Sequence, residues 1–198
     1  MNSDQIELLR KRKDEFDSFY QSLIPSLVEF VGLLGISPAH EVLKNAEQFV
    51  PLLGRATQDM AVQGQEDRMW PVTRMAYFIG EVFVQRFSGC WFVDELPDTR
   101  YFAHYVVGKF GAGIRTNAMI DPFEISTAYV DGALPRNLGG LINEVELAVV
   151  RALKVSSPTE CESSWPGFRE YNESVIFERV AQSEPLSVCL RRSLVFHA

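Results

Sequence analysis

The chain has 198 residues, 46% of them hydrophobic and 23% charged, a composition typical of a soluble globular domain with extensions. This composition excludes intrinsic disorder as the main state, and it excludes the collagen-like, coiled-coil and disulfide-scaffold classes. The net charge of −7 repels phosphate backbones, so we expect no general binding to nucleic acid.

The acidic charge is concentrated in the first half of the chain. Residues 1–99 carry nine basic and fifteen acidic side chains. An acidic half can steer a basic partner, and it can equally serve solubility alone. The basic run Arg10–Lys13 is followed at once by Asp14, Glu15 and Asp17, which indicates a solvated helix face with local ion pairs.

The cysteines and the amino terminus indicate a cytoplasmic location. Cys90, Cys161 and Cys189 form no C-x-x-C pair and are odd in number, which favours reduced thiols. The first residues lack the apolar core of a signal peptide, and no apolar stretch approaches the roughly 20 residues needed to span a bilayer. We therefore expect no contact with a membrane.

The first third of the chain has the apolar spacing of helices. A helix is predicted from Ser3, with Ser3 or Asp4 as its N-cap. Pro25 interrupts the pattern, which predicts a second helix or a kinked continuation ending near Gly35.

Two further helices and a loop are predicted before residue 70. Ser37 suits an N-cap and Pro38 suits the first helical position, so a helix is expected from there to Val50. Pro51 predicts the restart of a short helix, and the polar stretch 61–69 indicates a loop.

The most apolar helix is predicted from Trp70 to Ser88. A wide apolar face predicts that four of its residues belong to the core: Phe78, Ile79, Val82 and Phe83. A polar stripe runs along the other side, through Arg74, Tyr77, Glu81, Gln85 and Ser88. Gly80 is unfavourable inside a helix, which indicates that another element approaches closely there.

Strands follow this helix, and two helices follow the strands. Runs of aromatic and β-branched residues predict strands at Trp91–Val93 and Tyr101–Val107, joined by the turn Asp94–Asp98, with a third strand near 114–119. Asp121, Pro122 and Glu124 predict a capped helix to about Asp131, and a last helix is predicted over Leu138–Lys154. The pattern predicts an α+β fold: a helical N-terminal layer, a small antiparallel sheet and C-terminal helices, with helix exceeding strand.

The chain is predicted to form one α+β domain over residues 1–155. Residues 1–69 would be its helical part, and residues 70–155 its helix, strands and later helices. Ser156 to Pro166 has the composition of a linker. Residues 156–198 are therefore predicted to be a C-terminal extension that packs on the domain or pairs with a second copy, which would make a homo-oligomer.

A search for catalytic spacing finds none. His40, His104 and His197 have no metal-binding spacing, and the chain contains no G-x-S-x-G or P-loop motif. His104 alternates with apolar neighbours, which favours a structural histidine. We expect no catalytic residue, no metal and no cofactor.

Carboxylates are the remaining candidates for a site. Asp94, Glu95 and Asp98 cluster beside Trp91, and Glu81 lies in the polar stripe of the preceding helix. Paired carboxylates perform general acid–base chemistry, whereas an acidic turn beside aromatic residues suits a protein-docking patch. A solvated turn and a solvated helix face are the simplest alternative.

The middle of the chain resembles a known group of sequences. Gly80-Glu81 lies in an apolar helix, Gly89-Cys90-Trp91 begins a strand, and Asp121-Pro122-Phe123 begins a helix. This order, over residues 75–131, is similar to that of small uncharacterised bacterial domains, some of which look like immunity or secretion-accessory proteins. The resemblance implies an α+β fold and a non-enzymatic role, and it implies no catalytic residues.

The sequence therefore predicts a non-catalytic bacterial cytoplasmic protein that binds another protein, with a basic partner favoured by charge. An immunity or accessory role follows from the resemblance. The binding residues would be Glu81, Trp91, Asp94, Glu95 and Asp98. The alternative is a small-molecule binder or hydrolase that uses Glu81 with the carboxylates of the turn.

Overall fold

A computed structural model describes residues 1–62, 64–111 and 118–155, apart from the side chains of Glu66 and Val155. The described residues belong to one compact unit, Met1–Ser157, and residues 158–198 lie outside the described residues. The predicted C-terminal extension, its pairing with a second copy, and Cys161 and Cys189 therefore lie outside them as well.

The described elements confirm an α+β fold in which helix exceeds strand. Helices and strands follow one another in this order: α1 (Ser3–Leu33), two short 3-10 helices (Ala39–Leu43 and Ala46–Phe49), α2 (Val50–Thr57), α3 (Gln65–Phe87), β1 (Cys90–Val93), β2 (Tyr105–Gly108), β3 (Met119–Ile120), α4 (Pro122–Val130) and α5 (Leu138–Val155).

The three strands form one antiparallel sheet in the order β1-β2-β3. Cys90 lies opposite Gly108 and Val93 lies opposite Tyr105 in the first pair. Val107 lies opposite Ile120 in the second pair. This pairing brings the end of β3, and with it the start of α4, beside β2.

Of the two alternatives predicted at Pro25, a second helix is wrong and a continuation is observed, because α1 is one helix of 31 residues with Pro25 inside it. The apolar residues on both sides of Pro25 stay in phase, so Leu23, Leu27 and Phe30 are all fully buried. Packing of this face offsets the hydrogen bond that proline cannot donate. The N-cap is Asn2 rather than Ser3 or Asp4, since the Asn2 side chain and Gln5 form a capping box.

The predicted helix through Val50 is replaced by the two 3-10 helices. The cause is the Gln85 side chain on α3, which takes the backbone groups that a continuous helix would use. Its amide nitrogen donates to the Val42 and Leu43 carbonyls at 3.1 Å, and its oxygen accepts from the Ala46 N–H at 2.7 Å. A hydrogen bond from a distant side chain has replaced local helix bonding.

The helix α3 begins earlier than predicted, at Gln65, so the end of the predicted loop 61–69 is helical. Arg68 in its first turns binds Asp131 with a nitrogen–oxygen distance of 2.6 Å, which ties this end to the residue after α4. The core prediction is confirmed, since Phe78, Ile79, Val82 and Phe83 are at most 1% exposed.

Gly80 is a point of close contact between α3 and β1. A Cβ atom at Gly80 would overlap the indole of Trp91, at 2.6 Å from Cη2 and 2.7 Å from Cε2. The predicted close approach is therefore made by Trp91, which is 5% exposed. The glycine is needed for space rather than for backbone freedom.

Candidate functional site

The connection between β1 and β2 is ordered from inside by Asp94. This residue is 2% exposed, and its carboxylate accepts hydrogen bonds from the Leu96 N–H at 3.2 Å and from the Thr99 hydroxyl. Such aspartate bonds to the following backbone fix a turn. Asp94 therefore acts within the connection, and a partner could not reach its carboxylate.

The start of the second predicted strand is a turn and a β-bulge instead. The Ala103 N–H donates to the Asp94 carbonyl at 2.8 Å, and the Asp94 N–H donates to the His104 carbonyl at 3.1 Å. Ala103 and His104 together therefore lie opposite the single residue Asp94. Ala103 has a φ of +59°, the left-handed conformation found at the first position of such a bulge. Bulges redirect the neighbouring side chain, which here is His104.

His104 is held by a buried carboxylate. Its Nδ1 lies 2.6 Å from Oδ2 of Asp121, and the His104 side chain is 52% exposed whereas that of Asp121 is 5% exposed. The other Asp121 oxygen, Oδ1, accepts from the N–H groups of Phe123 at 2.8 Å and Glu124 at 3.2 Å. Asp121 is thus the N-cap of α4, as predicted, and it also fixes the orientation of the imidazole.

Partly and fully exposed side chains lie in the same connection as His104. The Arg100 guanidinium lies 4.9 Å from the centre of the Tyr101 ring and binds the Glu124 carboxylate. The Tyr101 and His104 rings are 6.4 Å apart, and burial raises the pKa of Tyr101. Leu96 is 50% exposed. We call Leu96, Arg100, Tyr101 and His104 the connection surface.

The basic run of α1 reaches the same region. Lys13 Nζ lies 2.8 Å from Glu95 Oε1, and the Arg12 guanidinium lies 5.6 Å from the centre of the Tyr105 ring. Arg10 binds Glu7 at 2.7 Å and Asp14 at 2.9 Å, so the predicted local ion pairs are present. The charge of Glu95 is therefore compensated by α1.

The remaining predicted site residues have separate surroundings. Glu81 is half-buried on α3, its carboxylate accepts from Gln85 at 2.8 Å, and burial raises its pKa. Trp91 is buried, and its Nε1 hydrogen-bonds to no described residue. Asp98 is exposed. Among the described residues, no hydrogen bond or ion pair joins Glu81 to Asp94, Glu95 or Asp98.

One groove lies outside the connection surface. It has a volume of about 380 Å³ and is lined by residues of the second 3-10 helix, α2, α3 and α5. Arg86, in its wall, binds Glu47 at 2.6 Å and Glu146 at 2.5 Å. Because both carboxylates bind the guanidinium, Arg86 is not free to bind an anionic ligand in this groove.

The sequence did not predict the contact between His104 and Asp121. It favoured a structural histidine at 104, which agrees with the bond to Asp121, and it predicted Asp121 only as a helix cap. The two are 17 residues apart, and only the pairing of β2 with β3 brings them together. No local spacing signals such a pair, whereas the capping pattern at Asp121 did locate one of its members.

Comparisons with protein-family models, with curated proteins and with solved structures find no match. In the described part of the chain, no group of three or more His, Cys, Asp or Glu side chains could hold a metal ion. No helix described here is long and apolar enough to span a bilayer.

Proposed function

We propose that this chain is a non-catalytic bacterial cytoplasmic protein that binds another protein through the connection surface. The supporting observation is the combination of a rigid frame and exposed contact residues. Asp94 and Asp121 fix the backbone from inside, while Leu96, Arg100 and His104 are exposed and Tyr101 is half-buried. Tyrosine and arginine are the residue types that dominate binding energy in protein interfaces.

The charge around this surface favours a basic partner. Asp98 is exposed, and Glu124 and Asp121 lie beside Arg100 and His104. Since Glu124 neutralises Arg100, the local charge stays negative, in keeping with the net charge of −7. Charges at the rim of an interface act mainly on the association rate.

The hydrolase alternative has less support. It needs two carboxylates that share a reacting group, whereas Glu81 hydrogen-bonds to Gln85 and Asp94 to Thr99. An immunity or accessory role remains a proposal that rests on the resemblance of residues 75–131. It supplies a class of partner, such as a toxin or a secretion component, rather than a named one.

A site-specific cross-link tests the docking surface. A photoreactive amino acid would replace Leu96, and in a matched control it would replace Leu147 on α5, which is similarly exposed at 48%. In living host cells, we expect a basic protein to be trapped at position 96 and not at 147. The association rate of the purified partner should fall on Asp98→Asn, with little effect at about 1 M salt.

Two results would contradict this proposal. The first is equal cross-linking at both positions, which indicates random encounter. The second is an association rate that does not change on Asp98→Asn at low salt, which would remove the steering by charge.

A further inference from the structure

We propose that His104 determines the specificity of the connection surface: its Nε2 accepts a hydrogen bond from a lysine or arginine side chain of the partner. This inference rests on the proposed function and deepens it. It names one atom of the surface and the chemistry of the group that binds there.

The first step is the tautomer of the ring. A carboxylate only accepts hydrogen bonds. Oδ1 of Asp121 accepts two backbone N–H groups at the start of α4, and Oδ2 lies 2.6 Å from Nδ1 of His104. Nδ1 must therefore donate, and a neutral imidazole has one N–H. In the neutral ring the hydrogen therefore lies on Nδ1, and Nε2 carries the lone pair.

The second step is the accessibility of Nε2. The His104 side chain is 52% exposed, and no residue that the structure describes forms a hydrogen bond with Nε2. The bulge at Ala103 and the bond to Asp121 hold the ring in place. Nε2 is therefore a fixed acceptor on an exposed surface, and little side-chain freedom is lost when a partner binds it.

The third step is the chemistry of the partner. An acceptor needs a donor, and lysine and arginine carry donors only. The ionisable groups around the ring are Asp121, Tyr101 and the Arg100–Glu124 pair. Since Glu124 compensates Arg100, the charge of Asp121 dominates and favours a cation at Nε2. A carboxylate side chain would meet both a lone pair and this negative charge.

The tautomer can be measured without any partner. The ring ¹⁵N chemical shifts of His104 at pH 7.5, in the full-length protein, distinguish the Nδ1–H tautomer, the Nε2–H tautomer and the charged ring. We expect the Nδ1–H tautomer at His104. His40, which is exposed and lies 3.3 Å from Glu41 through its Nε2, is the internal comparison. An Nε2–H tautomer or a charged ring at His104 would overturn the proposal.

The partner chemistry is tested with capped peptides of alternating lysine and glycine, and with glutamate–glycine peptides of equal length. We expect only the lysine peptide to shift the His104 and Tyr101 signals. His104→Asn keeps a donor for Asp121 but removes the outer nitrogen, so its affinity for the lysine peptide should fall about tenfold, whereas His40→Asn should bind like the parent.

Each other result has a defined meaning. Binding of the glutamate peptide at His104, no shift at His104 with the lysine peptide, or equal losses in both histidine variants would overturn the inference. A partner trapped at position 96 whose affinity does not change in His104→Asn would also overturn it, yet would leave the proposed function intact. A failed cross-link at position 96 would remove the proposed function and leave the tautomer assignment standing.

Discussion

Gly80 and Trp91 are held together by close packing, whereas the connection surface is held in place by a few hydrogen bonds of buried carboxylates. At the contact of α3 with β1, the glycine at position 80 leaves room for the indole of Trp91. No described residue forms a hydrogen bond with the indole Nε1. In the connection, Asp94 and Asp121 fix the backbone and His104. Substitutions at the first site should therefore destabilise the whole domain, and substitutions at the second should act locally.

The largest expected effect is that of Gly80→Ala. The new methyl group would overlap the buried Trp91 ring, and such overpacking costs more than the gain in helix propensity from alanine. We expect the free energy of unfolding in urea to fall by about 2–3 kcal/mol. The matched control is Gly32→Ala in α1, where a Cβ would lie 3.8 Å from Ala39 Cβ. This control should be neutral or stabilising by up to about 1 kcal/mol.

A second substitution identifies the cause of that loss. If the indole is responsible, Trp91→Phe should recover part of the stability of Gly80→Ala, so the double variant would be more stable than additivity predicts. Strictly additive effects would show that Trp91 is not what excludes a side chain at Gly80.

The two regions differ in how far the sequence predicts them. The core residues of α3 follow from apolar spacing, and the Gly80 contact follows from an unfavourable glycine inside a helix. The structure of the connection is not predicted by local sequence patterns. The Asp94–Thr99 bond, the bulge at Ala103 and the Asp121–His104 pair all depend on strand pairing. Local patterns encode packing faces, whereas hydrogen bonds between distant side chains depend on the tertiary structure.

The same physical reason explains the errors among the helices. Gln85 belongs to the predicted polar stripe, for which a solvated helix face was one alternative, yet its amide bonds to Val42, Leu43 and Ala46 divide a predicted helix into two short ones. At Pro25 the sequence left two alternatives open, and the buried face of α1 explains why the helix continues through the proline.

An intermediate effect is expected for Asp94→Ala. The change removes the acceptor of the Leu96 N–H and of the Thr99 hydroxyl in a buried place. We expect a loss of about 1–2 kcal/mol in the free energy of unfolding, together with an acceleration of amide hydrogen exchange that is largest in residues 94–104. Asp98→Ala, at an exposed position in the same turn, should remain within about 0.5 kcal/mol of the parent.

This prediction separates local from global order. If Asp94→Ala accelerated exchange in α3 as much as in the connection, the two regions would form one cooperative unit. The distinction between shape and polar bonding would then have no consequence for stability.

The smallest effect is expected for Glu81→Gln. Glu81 lies next to Gly80 on α3, so this substitution tests whether the helix surface near Trp91 tolerates a charge. Burial raises the pKa of Glu81, so the folded protein retains this proton at a higher pH than the unfolded chain does. The folded state then binds more protons, and stability falls as the pH rises from about 4.3, the ordinary pKa of glutamate, through the raised pKa.

Glu81→Gln keeps an oxygen for Gln85 and has no charge to desolvate. The variant should therefore unfold at a higher temperature than the parent at pH 7 and at the same temperature at pH 4. The exposed Glu29→Gln on α1 controls for the change in net charge, because it should not produce this difference between the two pH values. A Glu81→Gln variant that is less stable than the parent at pH 7 would mean that the ionised carboxylate has a stabilising partner, and that Glu81 belongs with the functional residues after all.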